Sequence, residues 1–234
     1  MRLALTIICL MMALSVAASA DGFYWSQDFE TLPLPDEWDV QSGDGGFGGV
    51  VVDPLDSNNH VLKLDSSSSG GWAYAAVSST ALDYDNPGTG VITYRLLLLT
   101  DDNYILYSPG SNTITNIIYG TGLYTNPAGP QIYTFNTNQW YNIKYIVDWE
   151  NFEDYELWID NTRIGTYDSY DAGPPGGIAF WLGNYPSGSS TINIPPIPPQ
   201  GGACWDDFTI TVPEPSSILA MMTGLVVLVR RRKK

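Results

Sequence analysis

Positive charge is the scarcest commodity in this sequence. Of its 234 residues only 10 are Lys or Arg, against 25 Asp and Glu, and there is a single histidine. Six of the cations sit at the ends: Arg2, and the closing run Arg230, Arg231, Arg232, Lys233 and Lys234. Residues 21–212 keep only Lys63, Arg95, Lys144 and Arg163 among 24 acidic side chains, a net charge of −20. A field of that sign repels a phosphate backbone, so nucleic acid is excluded as a partner, while cations are attracted. With His60 the only histidine, Ser-His or Cys-His catalysis would have to use it, and nothing around it marks such a role. Histidine-based zinc sites are disfavoured on the same ground. No phosphate-cradling glycine motif occurs.

Cysteine is nearly absent too. Cys9 lies in the leader, so residues 21–212 hold only Cys204 and no internal disulfide forms there. Beside Trp205 in a strand-like run, Cys204 reads as a small buried apolar residue, with pairing between chains as the alternative.

Long apolar runs occur only at the two ends. Met1-Arg2, an apolar stretch through Val16 and the close Ala18-Ser19-Ala20 make a secretory signal peptide over residues 1–20, cut by signal peptidase before Asp21. Cys9 is no lipidation site, because bulky Ile8 precedes it and the apolar run continues beyond. At the other end, Ser216 to Val229 is apolar and five basic residues follow. As a helix this run spans about 21 Å, short of a hydrocarbon core of about 30 Å. Snorkelling basic side chains cover part of the deficit and keep the terminus cytoplasmic, leaving the body outside. The run is a weak stop-transfer anchor.

The segment Val212-Pro213-Glu214-Pro215-Ser216-Ser217, followed by that short apolar helix and the basic end, resembles the PEP-CTERM sorting signal of Gram-negative and related bacteria. The resemblance implies recognition by an exosortase, an integral-membrane cysteine transpeptidase-like enzyme. It further implies processing near Pro213, Glu214 and Pro215, transient inner-membrane contact, and delivery to the cell surface or exopolysaccharide matrix. An ordinary tail anchor after a proline-rich turn is the alternative. The chain thus divides into a signal peptide (1–20), a body (21–212) and a sorting tail (213–234).

The body is rich in Gly, Pro and aromatic residues and only 15% of the chain is charged, a mix that suits short strands and tight turns rather than surface helices. In the run 141–149, Tyr141, Ile143, Tyr145, Val147 and Trp149 alternate with Asn142, Lys144 and Asp148. The run 155–160 follows, then the turn signal Asp160-Asn161 and a further strand over 162–167. Runs at 60–65, 72–77, 91–99, 104–107, 177–182 and 204–212 read the same way. If Trp149 pairs with Tyr155, Lys144 faces Asp160 and Ile146 faces Trp158. About ten strands and no convincing helix predict an all-β, two-sheet antiparallel sandwich, with a short hydrophobic helix only in the tail. The proline-rich run 192–199 is expected to lie extended over the surface.

Four features resemble the concanavalin A-like, LamG-type jelly rolls: Asp28-Phe29-Glu30 with Trp38; Asn58 to Leu64 after an Asp/Pro loop; Trp140 to Asp148 leading to Leu157 to Asn161; and the closing Trp205-Asp206-Asp207-Phe208. Enzymes of that family use a Glu-x-Asp-x-x-Glu strand, which the acidic residues Glu150, Glu153, Asp154 and Glu156 do not reproduce. The expectation is therefore a non-catalytic domain, with a secreted glycoside hydrolase or lyase as the alternative. Related carbohydrate-binding jelly rolls hold a structural calcium between first and last strand. Here that would gather Asp28 or Glu30 with Asp206 or Asp207, and the loop Asp53 to Asn59 is a second candidate. Glycan binding needs aromatic faces beside polar groups. Trp158 breaks the alternation, standing on the face of Glu156 and Asp160, so it is either packed beneath a loop or a ligand platform. Tyr119 and Tyr124 are further candidates. The expected role is an exported surface or matrix protein that contacts polysaccharide or neighbouring proteins, against a purely structural coat protein.

Overall fold

The computed structural model describes residues 24–66, 72–78, 89–109, 116–125, 129–148, 154–168, 177–183 and 201–211. The signal peptide, Trp149 to Glu153, the proline-rich run 192–199 and the tail 213–234 lie outside them.

Where apolar and polar residues alternate, strands form. Among the described residues these are β1 (Tyr24–Gln27), β2 (Trp38–Gly43), β3 (Gly46–Val52), β4 (His60–Ser66), β5 (Trp72–Ser78), β6 (Thr89–Leu98), β7 (Tyr104–Pro109) and β8 (Asn116–Tyr119). They continue with β9 (Gly122–Tyr124), β10 (Gln131–Thr134), β11 (Trp140–Asp148), β12 (Asp154–Ile159), β13 (Thr162–Asp168), β14 (Gly177–Gly183) and β15 (Gly201–Thr211). One sheet has eight strands in the order β13-β12-β11-β6-β15-β4-β3, with β1 also paired to β15; the other runs β10-β9-β8-β7-β14-β5-β2. The ladders are antiparallel, as in β11 on β6, β15 on β6 and β14 on β5. This is the expected all-β sandwich.

Alternation assigns the two sides of each strand. Tyr141, Ile143, Tyr145 and Val147 of β11 are buried, and they meet Leu62, Leu64, Ile92, Leu96, Leu157, Trp205 and Phe208 from the same sheet. The facing sheet contributes Trp38, Ala73, Ala75, Val77, Ile105, Ile118 and Leu123. Phe29 packs edge-on against Trp38 and Phe208, with centroids 5.4 and 6.0 Å apart. One group of polar side chains inside this core is satisfied across the layers. Buried Asn116 of β8 donates through Nδ2 to Tyr145 Oη at 3.1 Å and accepts from Tyr155 Oη at 3.3 Å. Burial, with Tyr94 alongside, pushes the Tyr145 hydroxyl well above its ordinary pKa, so it stays neutral.

Six strands escape the periodic signal: β1, β2, β3, β8, β9 and β10. Most are short and several are glycine-rich, as in Gly46-Phe47-Gly48-Gly49. The Gly/Asn-rich stretch 116–130 contains β8 and β9, turned at Gly120 (φ 60°). Such segments hold as strands through their ladder partners.

The register of β11 on β12 also differs from the expectation. Lys144 lies opposite Trp158, Ile146 opposite Glu156 and Val147 opposite Tyr155. The strands are offset by two residues from the pairing that sets Lys144 against Asp160. A slip of two leaves every side chain on its own face, so the alternation could not discriminate between the registers. The Asp160-Asn161 turn forms as expected: both residues have positive φ, 49° and 64°, which a two-residue type I′ hairpin requires.

Candidate functional site

On its outer face the eight-stranded sheet carries two contrasting regions. Val61, Leu97 and Cys204 form a small buried apolar cluster there, with Val51, Leu99 and Trp140 packed against it. Cys204 is thus a structural apolar residue, its thiol pushed up to about 12 by burial. Next to this cluster the face turns polar. Lys144 stands between Thr93 on β6 and Trp158 on β12, and Asn142 lies opposite Arg95, which in turn lies opposite Asp206 on β15. An irregularity between Asp206 and Thr209, with Asp207 at φ 51°, turns Asp207 outward. Thr93, Arg95, Asn142, Lys144, Asn161 and Asp207 line an open groove of about 400 Å³.

This face also concentrates the scarce positive charge. Lys63 pairs with Asp65 at 2.7 Å, Arg163 with Glu156 at 3.2 Å, and Arg95 with both Asp206 and Asp207 at 3.3 Å. Lys144 has no carboxylate at ion-pair distance among the described residues. Its ammonium lies 4.3 Å from the ring centroid of Trp158, while the Arg95 guanidinium lies 4.4 Å from that of Trp140. Trp158 is half-buried, and its Nε1 donates to Glu156 Oε2 at 3.0 Å. That bond, with Arg163 beside it, holds the Glu156 carboxyl below its ordinary pKa. Trp158 is therefore a ring fixed by Glu156, with Lys144, a groove-lining residue, over it.

The carboxylates expected to hold calcium do not gather: no group of three or more His, Cys, Asp or Glu placed to hold a metal occurs among the described residues. Asp28 caps the Glu30 amide at 3.1 Å, and Glu30 accepts from the His60 amide at 2.8 Å and contacts its Nδ1 at 3.1 Å. Asp206 is buried and takes Asn59 Nδ2 at 2.9 Å, the Asp207 amide at 2.8 Å and Arg95 at 3.3 Å. In the loop, Asp53 is buried and accepts from the Leu55 amide, Asn59 and Trp140 Nε1. Arg95 occupies the position a cation would need between Asp206 and Asp207, so these residues do not fit a calcium site.

Tyr119 and Tyr124 belong to the other layer. Tyr119 is 36% exposed at the end of β8, and Tyr124 donates through Oη to Gln131 Oε1 at 3.1 Å. Half-buried Trp72 and Tyr74 alternate on β5 with core Ala73 and Ala75 and so share that outer side. These tyrosines do not meet Trp158. Sequence reasoning singled out Trp158 but passed over Arg95, Asn142, Lys144 and Asn161. The signal that could have found them is the rarity of cations in the body.

Comparison with known proteins settles the end of the chain. Residues 211–233 match the PEP-CTERM protein-sorting motif. The chain carries a PEP-CTERM sorting signal. That motif implies export, exosortase processing and sorting to the cell surface. The PEP-CTERM match begins at Thr211, the last residue of β15, which is paired with Tyr24 at the start of β1. In sequence, the matched segment therefore begins at the last residue of the last described strand. No curated protein matches the chain in sequence. Among solved structures, a sialidase superposes with a TM-score of 0.59 at 11% identity over 80% of this chain and 18% of its own. An endo-β-1,4-glucuronan lyase from the fungus Trichoderma reesei gives 0.51 at 12% identity over 82% of this chain and 95% of its own. At such identities the likeness is one of fold alone: the body is an all-β antiparallel sandwich that resembles concanavalin A-like folds. This chain spans under a fifth of the sialidase.

Proposed function

We propose that this PEP-CTERM protein is a non-catalytic, glycan-binding module displayed at the cell surface or in the extracellular matrix. The observation that carries the reading is the groove on the eight-stranded sheet, lined by Thr93, Arg95, Asn142, Lys144, Asn161 and Asp207, with Lys144 reaching from it over the neighbouring ring of Trp158. Sugar recognition calls for directional hydrogen-bonding groups next to an apolar surface. The groove volume, about 400 Å³, suits one or two sugar rings. Binding rather than catalysis is favoured because the neighbouring carboxylates are engaged: Glu156 by Trp158 and Arg163, Asp160 by Asn142, Asp207 by Arg95. Hydrolysis of a glycosidic bond needs two carboxyl groups free to face the sugar.

A glycan array probed with the purified chain tests this. Binding to a defined glycan, weakened at least tenfold by Trp158→Ala and by Asn142→Ala, supports it. Absence of binding across a broad panel, or binding indifferent to both substitutions, overturns it. Turnover of any bound glycan would favour the enzymatic alternative.

A further inference from the structure

A sheet edge exposes unpaired N–H and C=O groups, and proteins blunt such edges with charge, proline, bulges or short length. Most edges of this sandwich are blunted in this way. β1 and β10 are four residues each, β2 carries Asp39, and β13 carries Arg163 and Asp168 beside an irregularity in its ladder. β3 is different. It runs seven residues, Gly-Phe-Gly-Gly-Val-Val-Val, with no charge and no proline, and pairs with β4 without a break from Gly46↔Ser66 to Val52↔His60. Among the described residues nothing pairs with its far side. Phe47 and Val52 are 44% and 50% exposed, and Leu55 just beyond is 51% exposed.

We infer that β3 is an assembly edge, pairing antiparallel with β3 of a second copy to join two eight-stranded sheets into one. The strand is self-complementary about Gly49. A two-fold axis there sets Gly49 against itself, Gly48 against Val50, Phe47 against Val51 and Gly46 against Val52, so that large residues meet small or β-branched ones on each face. A charged partner peptide finds no counter-charge along the strand, whereas a second uncharged β3 meets no repulsion there. The strip is about 23 Å long. Its area falls at the low end of specific interfaces, so pairing is weak and depends on the crowding of displayed copies. The chain carries a net −15, so long-range repulsion opposes pairing and salt relieves it.

The test uses the full-length chain in neutral detergent, with the leader's Cys9 replaced by Ser throughout. Gly49→Cys places a thiol on the proposed axis, where the two Cα atoms lie at a separation a disulfide accepts. A Cβ at Gly49 would meet only the Phe47 ring, at 3.2 Å, and Cys204 is buried and does not compete. Under mild oxidation Gly49→Cys is expected to yield covalent dimer at least tenfold faster than Val52→Cys, which the axis places opposite Gly46. The rate should rise with salt and fall at least tenfold when Phe47→Lys is added. Equal cross-linking by the two cysteines, or indifference to Phe47→Lys, overturns the inference. Sedimentation velocity of wild type and Phe47→Lys, neither carrying the added cysteine, gives an independent reading. A salt-promoted dimer lost in Phe47→Lys supports the edge contact, and a monomer at every salt concentration rejects it.

Discussion

Asn59 Nδ2 donates to Asp206 Oδ2 at 2.9 Å, joining a loop residue to the last strand across 147 positions of sequence. The same amide nitrogen reaches Asp53 Oδ2 at 3.2 Å, so one side chain ties together two buried carboxylates, 4% and 1% exposed. Trp140 Nε1 closes the arrangement on Asp53, and Arg95 closes it on Asp206. Burial raises the Asp206 pKa, and the Asn59 bond acts against that rise.

Replacing Asn59 by Ala removes a donor from both acids and should cost about 1–3 kcal/mol, the penalty of a buried polar group left short of a partner. Urea denaturation of the two proteins measures it. A change within about 0.5 kcal/mol, typical of an ordinary surface position, would show that the amide does not fasten the loop.

Cys204 should behave as an inert core residue. With the thiol pushed up to about 12, thiolate is scarce at pH 8, and burial blocks access as well. An aromatic disulfide reagent is expected to label it only once the protein unfolds. Rapid labelling of the folded chain would contradict its place in the Val61–Leu97–Cys204 cluster.

Glu30 gives a pH signature of known sign. Its carboxyl is held below the ordinary 4.5 chiefly by the His60 amide, then by the His60 ring. A folded pKa below the unfolded one means stability that is present above 4.5 and lost as pH falls through the folded value. Melting temperatures of wild type and Glu30→Gln should therefore differ near neutrality and converge in acid. A gap that persists at low pH would mean that the contact acts by something other than charge.

Asn161 occupies the left-handed region at φ 64° in the β12–β13 turn. Asn161→Gly should leave stability within about 0.5 kcal/mol, while Asn161→Val should cost about 1–2 kcal/mol through backbone strain. Equal melting temperatures for the two variants would refute the type I′ assignment.

Much of this architecture was legible beforehand. The alternating runs of β4, β6, β11, β12 and β15 announced half-buried strands, and the Asp160-Asn161 turn announced its hairpin. Local patterns of this kind are physical consequences of a two-residue repeat and of which residues tolerate positive φ. The sorting tail was legible for a different reason: a linear signal is read as sequence. Strand register was not, because a two-residue slip of β11 on β12 preserves every face. Nor was the groove, whose walls come from β6, β11, the β12–β13 turn and the bulge at Asp207. Nor was the place of Arg95 between Asp206 and Asp207, which turned an expected calcium site into an ion pair. Composition and local pattern carried the fold class, the turn and the address. Long-range packing chose which strands became neighbours, and with them which charges met, because such contacts depend on side chains far apart in the chain arriving at one face.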